Sequence, residues 1–361
     1  MSKFNKLKVA SVNRETVDSV SVSFEIPEHL KNQYQYIPGQ YLTLKLFVNG
    51  EQLNRSYSFC SSPFANEMMT IAVKEVSGGK GSTYINRNIK VGDEIEVMEP
   101  MGNFHSPLSA ENEKHYLLFG GGSGITPLFS ILKSVLLHEP KSRVTLFYGN
   151  RDEESIIFKE QLQALQAENS DKVKLIHILN LPSAFTPYSG FLLKDVALKL
   201  LRENTDMNFA QAEFFICGPV PMMKEVESAL TELSIPKAKT HIEYFTEKAD
   251  ADKNAASVGA TNTETEPFNG KAHVKLIYDG NEVEFDMTED QLVLHAALDA
   301  GYDPPYSCMV AACCTCRAKL LEGSVVMDDR ESLTDSEIAK GYVLTCQSHP
   351  KTSNIVLNYD V

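Results

Sequence analysis

Over roughly the first hundred residues, apolar and polar positions alternate in short stretches, as in residues 17–26 (VDSVSVSFEI) and 69–76 (MTIAVKEV). A period of two places alternate side chains on opposite faces of a strand. Gly and Pro punctuate these stretches, at Pro38-Gly39 and Gly78-Gly79. The pattern predicts a small antiparallel barrel. From about Lys114 the pattern changes. Apolar runs at 115–119, 143–149, 172–179 and 213–217 predict strands, and residues 126–138, 153–166, 192–202 and 219–233 predict helices. Strands and helices alternating at this length predict a parallel sheet covered on both faces.

Residues 247–266 (EKADADKNAASVGATNTETE) break this regime. They hold almost no large apolar side chain, too few to hold a fold, and predict a flexible linker that lets the next domain move. Beyond it, residues 272–278 and 282–287 predict two strands joined by Asp279-Gly280-Asn281, a hairpin signal. Residues 291–300 predict a short helix before a cysteine-rich loop. The chain thus divides into a β-barrel over 1–108, an α/β domain over 109–246, a linker over 247–269 and an α+β domain of the β-grasp kind over 270–361.

Length agrees with this division, since 361 residues suggest two or three domains at roughly 150 residues each. A hydrophobic content of 43% supplies real cores. The net charge of −14 argues against nucleic acid as a partner. From Phe268 onward, 15 Asp and Glu stand against 7 Lys and Arg, which marks an acidic module suited to a basic partner. The first fifteen residues lack the apolar centre of a signal peptide. No run of about 18 apolar residues predicts a membrane span. Cytoplasmic location is the expectation.

Five of the seven cysteines fall after residue 300, and the odd total fits a disulfide scaffold poorly. Cys308-x4-Cys313-x2-Cys316, with Cys346 after 29 more residues, has the plant-type ferredoxin spacing for a [2Fe–2S] cluster. One tight loop brings three thiolates and a distant fourth closes the cage. Zinc is the rival, but it favours paired CxxC knuckles, and only Cys313-x2-Cys316 makes one. Buried structural thiols are the plainer reading, weakened by three cysteines at this spacing within nine residues. Over its last ~94 residues the chain resembles plant-type ferredoxins through PYSCMVAACCTCRAKLLEG and LTCQSHP. That family has glycines between the first two ligands, where this chain has Met309-Val310-Ala311-Ala312. Their loss predicts a strained loop or a shifted potential. Cys314 is an extra thiol, expected to be a spectator.

Two further motifs lie upstream. Arg55-Ser56-Tyr57-Ser58 falls on a barrel strand, and Gly81-Ser82-Thr83 opens a short helix. An Arg and a helix N-terminus are natural partners for a pyrophosphate. Tyr57 can pack flat on an aromatic ring system, and Ser58 can place a hydroxyl near its reactive edge. The plainer reading is a strand edge with a surface Arg. Gly120-Gly121-Gly122-Ser123-Gly124-Ile125-Thr126-Pro127 joins a strand to a helix, the order a dinucleotide site needs, although its spacing is not that of the usual Rossmann turn.

Residues 1–246 resemble the ferredoxin–NADP reductase superfamily, whose nicotinamide turn reads GGGxGITP. The resemblance implies that Arg55, Ser56, Tyr57 and Ser58 bind flavin, that Gly81, Ser82 and Thr83 hold its phosphate, and that Val73 and Lys74 line its tail. It implies a nicotinamide coenzyme on Gly122, Gly124 and Thr126, with Asn150 and Arg151 at the adenosine. It places Cys217, of Cys217-Gly218-Pro219, beside the nicotinamide, Glu243 in a polar role near the hydride path, and Phe245 over the flavin ring. Ser58, Cys217 and Glu243 are the expected catalytic set. FAD is expected over FMN. Arg151 could pair a 2′-phosphate, favouring NADPH over NADH; its plainer reading is a solvated surface Arg.

The three modules share one logic: nicotinamide gives a hydride, the cluster takes single electrons, and a flavin between them can do both. The order resembles reductase components of multicomponent oxygenases, those of the phenylacetyl-CoA epoxidase kind in particular. The implied partner is an oxygenase docking on the acidic ferredoxin domain. The alternatives are a desaturase, haem-protein or ferredoxin acceptor, or a non-enzymatic [2Fe–2S] carrier or sensor.

Overall fold

The computed structural model describes residues 4–245, 256–260, 268 and 270–361. The first six strands are β1 (Phe4–Thr16), β2 (Ser19–Glu25), β3 (Tyr41–Val48), β4 (Glu51–Ser58), β5 (Met69–Lys74) and β6 (Glu94–Met98). They form one antiparallel sheet in the order β4-β3-β6-β1-β2-β5. A bridge between Phe59 and Ile71 draws the two edge strands together, so the sheet curls toward a barrel. The alternation in the sequence is the cause: Leu42, Leu44 and Leu46 all turn into the barrel core. Helix α1 (Lys80–Arg87) packs on β3 and β5.

The second domain comprises β7 (His115–Gly121), α2 (Ile125–His138), β8 (Arg143–Asn150), α3 (Lys159–Glu168), β9 (Val173–Leu179), β10 (Tyr188–Ser189), α4 (Lys194–Asn204), β11 (Ala212–Cys217), α5 (Val220–Glu232) and β12 (Thr240–Glu243). Its strands are all parallel, in the order β10-β9-β8-β7-β11-β12. The order reverses at β7, so a crevice opens between the carboxyl ends of β7 and β11, where such sheets bind ligands. Buried runs such as Leu117, Leu118 and Phe119 reflect a sheet covered on both faces. The helix expected over 153–166 begins only at Lys159. Asp152 caps a short turn over Glu153–Ser155, and Phe158 then takes a left-handed φ of 62°, which no helix interior allows.

The last domain comprises β13 (Ala256–Gly259), β14 (Lys271–Tyr278), β15 (Asn281–Thr288), α6 (Val293–Asp299), β16 (Arg317–Glu322), β17 (Ser324–Met327), α7 (Asp335–Ala339), β18 (Tyr342–Leu344), β19 (Ser348–Pro350) and β20 (Asn354–Asn358). A mixed sheet runs β15-β14-β20-β16-β18, beside a small sheet β13-β17-β19. Strand β13 departs from the linker expected over 247–269. Ala256–Gly259 pairs antiparallel with Ser324–Met327 and buries Val258 in the domain's core. A four-residue stretch can pair through its backbone even when its composition is polar. The remainder of the expected linker, apart from Ala260 and Phe268, lies outside the described residues. Among the described residues no helix is long and apolar enough to cross a membrane.

Candidate functional site

Strand β4 places Arg55 and Tyr57 on one face and Ser56 and Ser58 on the other. Arg55 and Tyr57 lean on the first turn of α1. A Cβ at Gly81 would stand 3.1 Å from Arg55 Cγ and 3.4 Å from Tyr57 Oη, so glycine lets the helix start come close. Gly79, at the N-cap, has no side chain to cap that start. Ser82 Oγ accepts from the Val76 N–H at 3.0 Å, which holds the turn. An uncapped helix start beside the exposed Arg55 guanidinium is an anion-binding corner that fits a flavin phosphate. Thr83 follows in the same turn.

Val73 and Lys74 part company. Val73 points into the barrel core, and its carbonyl accepts from Asn86 Nδ2 at 3.1 Å. Lys74 pairs with Asp18 at 3.6 Å and borders a cavity on the nicotinamide side.

That cavity, about 850 Å³, lies at the sheet crevice between Gly121, Gly122, Asn150, Arg151, Pro219 and Met222. Its size suits a cofactor site. The two turns that form it are packed backbone to backbone. A Cβ at Gly124 would fall 2.0 Å from the Cys217 carbonyl oxygen, and one at Gly218 would fall 2.9 Å from Gly121 N. Thr126 donates its hydroxyl to Ser123 O at 2.9 Å, so it braces the turn rather than facing the cavity. The buried Asn150 amide makes no hydrogen bond of good geometry among the described residues and borders the cavity, a group awaiting a polar ligand. Arg151 is exposed at the rim, paired to Asp152 at 2.7 Å. Phe191, Met222 and Lys224 also line the cavity. Sequence reasoning missed all three, since none lies in a motif; the apolar pair Phe191-Leu192 after Gly190 was the only signal.

At the end of the crevice the expected catalytic set meets. Cys217 and Glu243 are register neighbours on β11 and β12. Ser58 Oγ donates to Glu243 Oε2 at 3.3 Å, across the domain boundary. Burial raises the Glu243 carboxyl, the Ser58 hydrogen bond opposes it, and the nearby Cys313 adds to it, leaving the pKa pushed up to about 8. Burial, with the Glu243 charge adding, holds the Cys217 thiol well above its ordinary value, so it is neutral. Phe245 follows, 43% exposed and open to a planar ligand, whereas Tyr244 packs into the domain core.

The four predicted cluster ligands come together in the last domain. Their thiols fall into two contacting pairs, Cys308 with Cys313 and Cys316 with Cys346. A single tetrahedral ion needs all its ligands to converge on one point. Among the described residues no three His, Cys, Asp or Glu do so. Two pairs suit a cluster of two irons, each taking two thiolates. The loop is strained as its missing glycines imply: Met309 and Ala311 have φ of 61° and 57°. The turn aims the Val310 and Cys313 N–H groups at Cys308 Sγ, at 3.4 and 3.2 Å. Cys314 is buried and faces Tyr41 of the barrel, its Sγ 3.3 Å from Tyr41 Oη.

Comparison with known proteins follows the same three parts. The chain matches an oxidoreductase FAD-binding domain over residues 6–106, an oxidoreductase NAD-binding domain over 118–228 and a 2Fe-2S iron-sulfur cluster binding domain over 276–351. It is 36% identical over 362 residues to a component of the 1,2-phenylacetyl-CoA epoxidase of Escherichia coli (strain K12), covering 100% of this chain and 99% of that protein. It is 34% identical to the ferredoxin reductase component of 3-ketosteroid-9-alpha-monooxygenase from Rhodococcus rhodochrous, covering 98% and 96% of the two chains. Among solved structures, phthalate dioxygenase reductase, a modular structure for electron transfer from pyridine nucleotides to [2Fe–2S], superposes with a TM-score of 0.56 at 26% identity and covers 98% of each chain.

Proposed function

The chain belongs to the family of oxygenase reductase components that join FAD-binding, NAD-binding and [2Fe–2S] domains in one polypeptide, and on that premise we propose that it supplies electrons from NAD(P)H to an oxygenase of the phenylacetyl-CoA epoxidase kind. The observation that carries this reading is the convergence of Ser58, Cys217, Glu243 and Cys313, drawn from all three domains. When bound, FAD supplies the step between a two-electron hydride donor and a one-electron cluster.

The chain's own residues do the positioning. Arg55 and the start of α1, through Gly81, Ser82 and Thr83, hold the flavin's phosphate end, with Tyr57 beside it. Gly122, Gly124, Gly218 and Pro219 shape the crevice so that backbone reaches the coenzyme, and Asn150 offers its unspent amide. Cys217, kept neutral by burial, would stand beside a bound nicotinamide and place no negative charge there. Glu243, its carboxyl pushed up by burial, would hold a proton there, where Ser58 Oγ orients it. Phe245 would cover a bound flavin ring and shield it from water. Cys308, Cys313, Cys316 and Cys346 hold the cluster.

Arg151 favours NADPH, although a 2′-phosphate must displace the Asp152 carboxylate from it. The acidic surface of the last domain is the docking face for a basic acceptor. Cysteines spent on a cluster rather than on disulfides fit a cytoplasmic location. Titrating purified protein anaerobically with NADPH and with NADH tests the reading. Flavin absorbance near its usual maximum and cluster absorbance at longer wavelength should both bleach, with less NADPH than NADH needed. Protein without flavin, or unbleached by either coenzyme, would leave the carrier or sensor reading instead.

A further inference from the structure

Two polar side chains on the outside of the flavin barrel are almost wholly buried: Tyr41 is 5% exposed and Thr43 is 1% exposed. Barrel packing does not account for them. On β3 it is Leu42, Leu44 and Leu46 that enter the barrel core, so Tyr41 and Thr43 stand on the opposite face. The cluster loop covers that face. Tyr41 Oη accepts from the Cys314 N–H at 3.1 Å and lies 3.4 Å from Thr315 Oγ1. Thr43 Oγ1 lies 3.2 Å from Thr315 Oγ1 and 3.0 Å from Ser56 Oγ. Ser56 Oγ in turn donates to Ser307 Oγ at 2.9 Å. Thr315 Oγ1 is also 3.4 Å from Cys313 Sγ. Hydrogen-bonding groups thus run without a gap from a barrel strand to a cluster ligand.

Around this patch lie weaker contacts. Lys45 pairs with Asp303 at 3.3 Å, and Asn103 Nδ2 donates to Glu337 Oε2 at 2.9 Å. Exposed pairs of this kind contribute little, whereas a buried hydroxyl that loses its partner is costly. The hydroxyls, not the rim charges, therefore decide where the last domain sits.

We propose that Tyr41 and Thr43 are positioning residues for electron transfer: they grip Cys314 and Thr315, and through them hold the Cys313 side of the cluster against the flavin domain. Cys314 is then the surface by which the loop is held, rather than a spare ligand. The identity of the two electron carriers rests on the function proposed above; the docking contact does not.

The test compares holoprotein with Tyr41→Phe and with Thr43→Val. Hydrogen–deuterium exchange over residues 312–317 should quicken roughly three- to tenfold in each variant, the factor that one lost hydrogen bond allows. Reduction of ferricyanide by NADPH, which draws on the flavin, should keep its rate. Reduction of cytochrome c, which draws on the cluster, should fall by a similar factor, so the ratio of the two rates shifts. A purely structural role would lower both rates together. Unchanged exchange and an unchanged ratio in both variants overturn the proposal, as does a fall in both rates at constant ratio. If Tyr41→Phe does not fold, Thr43→Val decides alone. If the parent protein binds no flavin or cluster, the proposed function fails, and the exchange comparison still decides the docking contact.

Discussion

Glu243 sits in an environment that disfavours its charge. Its carboxyl, ordinarily at 4.5, is pushed up to about 8 in the folded protein. Between those values the folded state holds a proton that the unfolded chain releases. Stability therefore falls as pH rises from about 4.5 to about 8 and is level on either side of that window. Glu243→Gln cannot ionise and removes this slope. Urea unfolding from about pH 5 to about pH 9 should show the parent losing stability relative to the variant, and parallel curves would refute the assignment. The cluster loop shows a second residue-scale cost. Left-handed backbone at Met309 and Ala311 costs roughly 1–2 kcal/mol each at positions where glycine would cost nothing. The gain is that N–H groups face Cys308 Sγ. Strain at a site of this kind is stored where it orients a ligand.

At the scale of elements, the two glycine-rich turns behave as one unit. Gly124 touches the backbone of Cys217 so closely that a Cβ has no room, with 2.0 Å to the carbonyl oxygen. Gly124→Ala must therefore move the β7–α2 turn away from β11. A loss of roughly 1–3 kcal/mol is expected, together with weaker NADPH binding. Thermal unfolding and coenzyme titration check both, and an unchanged affinity would mean that the turns are not coupled. The same turns show what a sequence can reveal. Glycines between a strand and a helix were legible because backbone geometry demands them. So were the barrel and the parallel sheet, from their periods, and the meeting of Cys308, Cys313, Cys316 and Cys346, from their spacing. The late start of α3 was not legible, because the residue that delays it, Phe158, carries no local signal for a positive φ. Nor was the second buried face of β3. Tyr41 and Thr43 look like ordinary outward-facing barrel residues, and their burial depends on Cys314 and Thr315, more than 270 positions away. The unlike fates of Val73 and Lys74 were hidden for a similar reason, since neighbours on a strand face opposite ways.

At the scale of the whole molecule, strand β13 has a further consequence. Ala256–Gly259 is stitched to the cluster domain, so the chain joining that domain to Phe245 is only residues 246–255. Fully extended, that join spans at most about 40 Å, about half of what an unanchored tether over 247–269 could reach. Residues 261–267 connect β13 to β14 inside one domain and add nothing to the reach. Deleting four residues within 246–255 should lower transfer to a protein acceptor while sparing ferricyanide reduction. The same deletion within 261–267 should spare both. Equal losses from the two deletions would show that the join does not limit transfer. The strand acts as a knot tied partway along a leash. Any reach of the cluster domain away from the flavin domain is bounded by that short join, so an acceptor that takes its electron from the cluster must come close to the reductase to do so.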